Sequence, residues 1–475
     1  MVAIPLPYAS APGFRAQEGA GRLINCYAEP LGEGRTDAKR VRVPGMTSYL
    51  TSPATGFRGM FLESKSGILY AAFKNSLYKG TAPATPPGAL IRIDSDPSPF
   101  AGTKSVYFAR NNAATPDIAV VTENNAFIVT PAGFSAYPDP DLPVPNSVFG
   151  LDGYLVFTIA DGRAFASDLN STAINALSFG TAEAKPDGLV RGIPFSGRAL
   201  FFGTQSLEIW IDVGAQPFPF QRSTVTPFGL IGPDAVAGWE DGWGAGLIWV
   251  ANDYTVRQLD GYSAQKVSTP DLDRLIARDP APQSLLASVH MVDGHAMWTI
   301  SGSTFTWEYD ITTQKWHERA SWLTNRWRGL QTQNAYNLWL IGDRNGGNIY
   351  SIDPTNHREA NDPLRMRVES GPVEKFPAHV RVARADFKLD TGVGIATGSE
   401  PIQTDPTVEI SWSDDGGITW SNPLRRKIGR QAKTDKLIQV FRTGMSTPHG
   451  RRWRLDLSDP VYTAILAGDQ SAELR

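Results

Sequence analysis

The chain has 475 residues, too many for one ordinary core, and its 41% hydrophobic and 20% charged residues suit a globular protein of two or three domains. A formal net charge of −3 excludes a global pull toward nucleic acid or membrane, so either partner would have to be met by a local patch. The lone Cys26 excludes an intrachain disulfide or a cysteine-built metal site.

Along the chain, Met1 to about Ser52 is rich in Pro, Gly and charge and has little periodicity, which reads as an extended arm. Its first residues, MVAIPLPYASAPGF, have no basic start and no unbroken apolar run, so they do not read as a secretion signal. No stretch approaches the roughly 18 apolar residues that would span a bilayer, and no membrane insertion is expected.

From Gly67 to Asp353 one pattern recurs: an apolar run, a polar turn, a second apolar run. It is seen in GILYAAFKNSLYKG from Gly67, DIAVVTENNAFIVT from Asp117, YLVFTIADGRAFASD from Tyr154 and RALFFGTQSLEIWID from Arg198. It returns in GLIWVANDYTVRQLDG from Gly246, HAMWTISGSTFTWEYD from His295 and YNLWLIGDRNGGNIYSID from Tyr336. Each reads as a hairpin, with turns at Lys74-Asn75, Asp161-Gly162 and Asn345-Gly346-Gly347. A mean period of about 45 residues is the blade length of a β-propeller, here degenerate and of five to seven blades. A pair of β-sandwiches would also give many short strands with turn signals. Only Thr269 to Ala277, with its acidic start, reads as a helix.

A polar linker near Asn356 to Asp362 marks a boundary, and the segments after it read as strands of a smaller domain. Alternation is clearest in Arg452-Trp453-Arg454-Leu455-Asp456-Leu457, which suits a small antiparallel sandwich. The expected class is therefore all-β: an N-terminal arm over 1–55, a β-propeller over 56–358 and a sandwich-like β domain over 359–475.

The most specific local motif is Ser413-Asp414-Asp415-Gly416-Gly417-Ile418-Thr419-Trp420. Ser413, Asp415, Gly417 and Trp420 match the S-x-D-x-G-x-x-W hairpin turn called an Asp-box. Asp415 is suited to accept turn amides, Gly417 to take positive φ and Trp420 to pack beneath the loop. These are structural jobs. The six histidines show no metal spacing and read as surface or turn residues, and no carboxylate pair, nucleophile elbow or P-loop singles out a catalytic residue. No cofactor and no metal is expected. The sharpest charge feature runs from Leu424 to Arg454, where ten Lys and Arg stand against one acid, Asp435. Within it, Arg425, Arg426, Lys427, Arg430 and Lys433 are candidates to face DNA or an acidic neighbouring subunit.

The opening run Arg22-Leu23-Ile24-Asn25-Cys26-Tyr27-Ala28-Glu29 with Pro44-Gly45, and the ending SWSDDGGITWSNPLRRKIG then RRWRLDLSDPVYTAILAG, resemble the packaged-DNA stabilisation or tail nozzle family of short-tailed bacteriophages. The resemblance implies a non-enzymatic virion protein, made in the host cytoplasm, that forms a six-fold homo-oligomeric ring in the tail. That ring lies below the portal and its adaptor, extends the DNA channel, retains packaged DNA until ejection and contacts a tail needle or fibres. The alternatives are a carbohydrate-binding or sialidase-like propeller, suggested by the Asp-box, and a generic propeller scaffold.

Overall fold

In the computed structural model, residues 1–474 are described apart from 33–37, 95–99, 101, 124 and 183. Each apolar–turn–apolar repeat forms the two middle strands of a four-stranded antiparallel blade; among the described residues five of the seven blades are separate sheets and two are parts of larger ones. The first is Phe57–Glu63, Ile68–Phe73, Ser76–Gly80 and Ile91–Arg92; the second runs from Tyr107–Arg110 to Gly133–Ala136. The third, fourth and fifth run from Ser147–Leu151 to Ile174–Thr181, from Leu189–Phe195 to Phe220–Thr226 and from Val236–Ala237 to Ser263–Lys266. The sixth is Leu286–Val292, His295–Ser301, Thr306–Asp310 and Lys315–Glu318.

Three strands of the seventh blade, Gly329–Ala335, Leu338–Asp343 and Asn348–Asp353, follow in order; its outer strand is Gly45–Thr51 from the far N-terminal side. Inner strands of neighbouring blades contact one another, with Gly329–Ala335 against Phe57–Glu63 at the closure, and the fourth and fifth blades share a core that includes Ile193 and Val236. The chain thus closes its propeller by lending its beginning to its last blade. Gly45 sits where a Cβ would lie 2.3 Å from the carbonyl oxygens of Arg358 and Asn356, so no larger residue lets that strand dock unchanged.

The middle strands are covered on both faces by neighbouring blades, which is why their sequences are nearly continuous apolar runs. His295–Ser301 is buried at every position, whereas the outer strand Ser263–Lys266 is mostly exposed. Two-residue turns at Asp152-Gly153, Ser196-Gly197, Asp293-Gly294 and Tyr336-Asn337 join the inner strand to the second in four blades, with φ positive at both positions. Such primed turns match the twist of paired strands. The one longer helix, Pro270–Arg278, links the fifth and sixth blades. Thr269 caps it, Asp271 and Asp273 occupy its first turn, and Leu272 and Ile276 are buried. Among the described residues no helix is long and apolar enough to cross a membrane.

The C-terminal strands form a two-layer sandwich. One layer continues the sixth blade through Arg22–Ile24 to Met366–Glu369, Arg452–Leu457, Thr407–Ser413 and Leu424–Lys427, a single nine-stranded sheet. The other orders Cys26–Pro30, Ala38–Arg42, Ala464–Gln470, Arg384–Leu389 and Ile438–Phe441. Leu23, Val368, Phe387, Ile410, Trp453 and Leu455 are buried between them in one core.

The N-terminal segment therefore departs from the extended arm expected of it. Val2–Ala3 pairs with Ala464–Gln470, Ile4 and Leu6 enter the sandwich core, and residues 22–51 supply strands to three sheets. Each run is only three to seven residues long, too short for a period to emerge. Cys26–Pro30 and Ala38–Arg42 pair with each other, but most of the remaining partners lie hundreds of positions away; Leu23, for example, pairs with Val368. Residues 33–37, within the expected arm, lie outside the described residues.

Candidate functional site

The strands Thr407–Ser413 and Leu424–Lys427 are antiparallel neighbours, and the loop between them carries the Asp-box residues. Ser413 Oγ donates to Asp415 Oδ1 at 2.7 Å and accepts the Gly417 amide at 2.8 Å. The Asp415 carboxylate also accepts the amides of Ile418 and Thr419 at 3.0 and 2.9 Å and the Thr419 hydroxyl. Burial alone would raise the Asp415 carboxyl, but these hydrogen bonds outweigh it and lower it to about 2. Gly416 and Gly417 have φ of 80° and 97°, in the region that favours glycine. The Trp420 ring lies under the Arg454 guanidinium at 3.7 Å.

That loop is also a seat for the N-terminal segment. Gln17 Nε2 donates to the Asp415 carbonyl at 3.4 Å, and Arg452 donates to the carbonyls of Gln17 and Gly19. Sequence reasoning missed this contact because nearly four hundred positions separate its partners.

The basic run divides in two. Arg451, Arg452 and Arg454 are internal: Arg451 is fully buried, with Nε and Nη2 on the Asp414 carboxylate at 2.7 and 3.0 Å, and Arg454 pairs with Glu369 at 2.9 Å. Of the candidates, Arg425, Lys427 and Arg430 are exposed, with side chains 75, 67 and 74% accessible. Arg425 and Lys427 share one face of an edge strand. Arg426, on the other, donates to the Gln439 carbonyl at 2.8 Å, and Lys433 is exposed in the loop beyond. The sequence sets one acid against ten bases here, but the fold brings others in. Glu409 pairs with Arg425 at 2.8 Å and Asp405 with Lys427 at 2.6 Å, and the Lys427 hydrogen bond helps hold the Asp405 carboxyl low.

These pairs end a ladder of charge across the nine-stranded sheet. Glu318, Ile24, Arg367, Asp456, Glu409 and Arg425 stand directly opposite one another on successive strands. Arg367 binds Asp456 at 2.6 Å, and Arg22 reaches Glu318 at 2.6 Å. Arg367 opposite Asp456 and Arg425 opposite Glu409 favour this register, and these two arginines flank the like-charged Asp456 and Glu409 that face each other between them, so the row joins blade and sandwich in one alignment. The alternation of Met366-Arg367-Val368-Glu369 is the sequence signal that could have revealed it.

The propeller axis and the histidines offer less chemistry. A cavity of about 330 Å³ lies among the inner strands. Arg191, in its wall, is already engaged by Asp234 at 3.5 Å, the Tyr107 ring at 4.4 Å and the Trp239 ring at 4.7 Å. Burial pushes the neighbouring Glu240 carboxyl up to about 7. His290, His295 and His317, expected at surfaces or turns, are instead buried. They lie on paired strands of the sixth blade whose inward faces carry acids: His317 meets Glu308 at 2.7 Å and His295 meets Asp310 at 2.8 Å. Burial would raise Glu308, but Arg319, His317 and His290 hold it below the ordinary carboxylate range. No grouping of His, Cys, Asp and Glu suited to a metal occurs among the described residues.

A family model described as Bacteriophage P22 Gp10, beta-propeller, matches residues 22–357. None of the curated proteins compared matches the chain. Solved structures similar to it include the extracellular domain of a hybrid two component system of B. thetaiotaomicron, at 10% identity and a TM-score of 0.45, over 72% of this chain and 43% of that one. The Myceliophteria thermophila Cps50 (Swd1) β-propeller domain is 8% identical with a TM-score of 0.42, over 65% of this chain and 99% of that one. Likeness at this level adds nothing to the assignment.

Proposed function

The chain belongs to the bacteriophage P22 Gp10 β-propeller family, a family of virion structural proteins, and from that premise we propose that it is a subunit of the tail nozzle. In this reading six copies form a ring below the portal and adaptor, extend the DNA channel, hold the packaged genome in and dock a tail needle or fibres. It works without catalysis. The observation that carries the reading is the nine-stranded sheet that runs from the sixth blade through Arg22–Ile24 into the C-terminal sandwich. It fastens propeller and sandwich across a hydrogen-bonded ladder instead of a flexible linker, which suits a subunit that transmits force within a channel wall. The Asp415 loop acts in the same frame as a structural turn that seats the N-terminal segment. The exposed Arg425, Lys427 and Arg430 face an acidic neighbour, since a channel through which DNA slides gains little from strong phosphate contacts.

The experiment is reconstitution: purified chain mixed with the portal and adaptor of its phage, imaged by negative stain. Six-fold density added below the adaptor is expected. Portal–adaptor particles that stay bare while the chain remains folded would overturn the reading.

A further inference from the structure

Where the helix Pro270–Arg278, residues 12–14, the sixth blade and the strand Met366–Glu369 meet, a cleft of about 490 Å³ opens. Its walls carry Arg22, Arg274, Arg278, Arg365 and Arg367 against Asp271 and Glu318. A sixth arginine at its edge, Arg319, sends its guanidinium elsewhere, over the Trp327 ring at 3.9 Å. Three of the five are neutralised: Arg22 by Glu318 at 2.6 Å, Arg367 by Asp456 at 2.6 Å, and Arg274 by Asp271.

Arg278 and Arg365 make no ion pair among the described residues. Arg278 lies over the Phe14 ring at 4.9 Å. Arg365 is half-buried beside Arg367, and burial together with that like charge lowers its pKa. A partly desolvated cation next to another cation is stabilised by an anion supplied from outside. Phe14, 53% exposed, lines the same cleft, so an occupant also meets apolar surface, with Phe305 and Trp307 buried behind the wall.

We propose that this cleft is a docking site for an extended acidic segment of a partner protein, whose carboxylates pair with Arg278 and Arg365 and whose chain packs on Phe14. A space of this size takes only about two or three side chains. The phosphates of a duplex are spread along a convex rod that a concave pocket does not follow. The proposal stands on the cleft's chemistry and does not depend on the nozzle reading.

A labelled hexaglutamate peptide, titrated against the full chain at low salt, tests it by fluorescence anisotropy. Saturable binding is expected, weakened about ten-fold or more in Arg278→Ala/Arg365→Ala and unchanged in Lys74→Ala/Lys79→Ala, at two exposed lysines of the first blade. If the first double variant fails to fold, Arg278→Glu, at an exposed helix end, gives the same reading with the packing intact. Absence of saturable binding, or equal binding by parent and Arg278→Glu, overturns the proposal. So does a short duplex DNA that binds through Arg278 and Arg365 where the peptide does not.

Discussion

The second and third blades and the joint between propeller and sandwich are built by opposite strategies. Residues 107–136 and 147–181 each complete a blade from strands adjacent in sequence. At the joint, Arg22–Ile24 lies between Lys315–Glu318 and Met366–Glu369, neighbours contributed from hundreds of positions away. Local pairing costs little loop-closure entropy, whereas the joint can form only after most of the chain has been ordered. A blade is therefore a nearly self-contained unit, and the joint is where damage spreads.

The largest expected effect is at Trp453, fully buried in the sandwich core, edge-on to Phe387 at 5.3 Å and bonded to Gln470 Oε1 at 2.6 Å. Trp453→Ala should cost about 3–5 kcal/mol, measured by urea unfolding. Hydrogen exchange should show protection lost in Arg22–Ile24 and Lys315–Glu318 as well as in the C-terminal strands, with the second and third blades unchanged. Loss confined to residues beyond 360 would break the comparison.

Next comes the buried Arg451. Asp414→Ala leaves its guanidinium inside the sandwich without a carboxylate, at a cost of about 3 kcal/mol, whereas Asp414→Ala/Arg451→Met should recover much of the loss. A double variant no more stable than the single one would mean that the pair is not what holds this end of the sandwich.

How much of this was legible follows the same division. The middle strands of all seven blades stand out in sequence because burial on both faces makes them apolar throughout, and the turns between them are polar, six of the seven carrying Gly, Asn or Asp. Outer strands such as Ser263–Lys266 are polar and short, so they look like loops. The N-terminal strands escape because pairing identity at such range is not encoded in local pattern. His290, His295 and His317 look like surface residues until their partners on the same blade are known. The basic run shows its charges but not the acids that join it. The resemblance also divides: Arg22 to Glu29 falls inside the matched range 22–357, while the Asp-box and its basic strands lie beyond it.

A smaller effect attaches to pH at the Asp415 loop. Its carboxyl is depressed in the folded chain to about 2, against about 3.9 in an unfolded one. The stabilisation is thus present above about pH 4 and is lost as pH falls through about 2. Acid between these limits should loosen the loop and release residues 16–19 from it, while the blades keep their structure. Limited proteolysis near Gln17 across this range checks it, and Asp415→Asn should be cleaved at neutral pH as readily as the parent is in acid. Cleavage independent of pH in the parent would show that the loop does not seat that segment.

The smallest effect on stability, and the sharpest separation of folding from assembly, belongs to the exposed edge strand. Arg425→Glu/Lys427→Glu removes two surface pairs, with Glu409 and Asp405, and exposed pairs are each worth about 0–1 kcal/mol. Like charges then face one another across the two strands, so a drop of up to about 2 kcal/mol in the unfolding free energy is expected and no loss of fold. Assembly should respond far more. If the strand meets an acidic neighbour, the parent's rings weaken as salt rises, because screening acts within about 10 Å at 0.1 M, and the variant forms none at any salt. If it faces DNA instead, variant rings form normally and particles lose genome. The reading of this strand as a contact fails outright if the variant folds, assembles and retains DNA like the parent. The joint would then be the part of the C-terminal sheet that matters, and the edge strand only its solvated end.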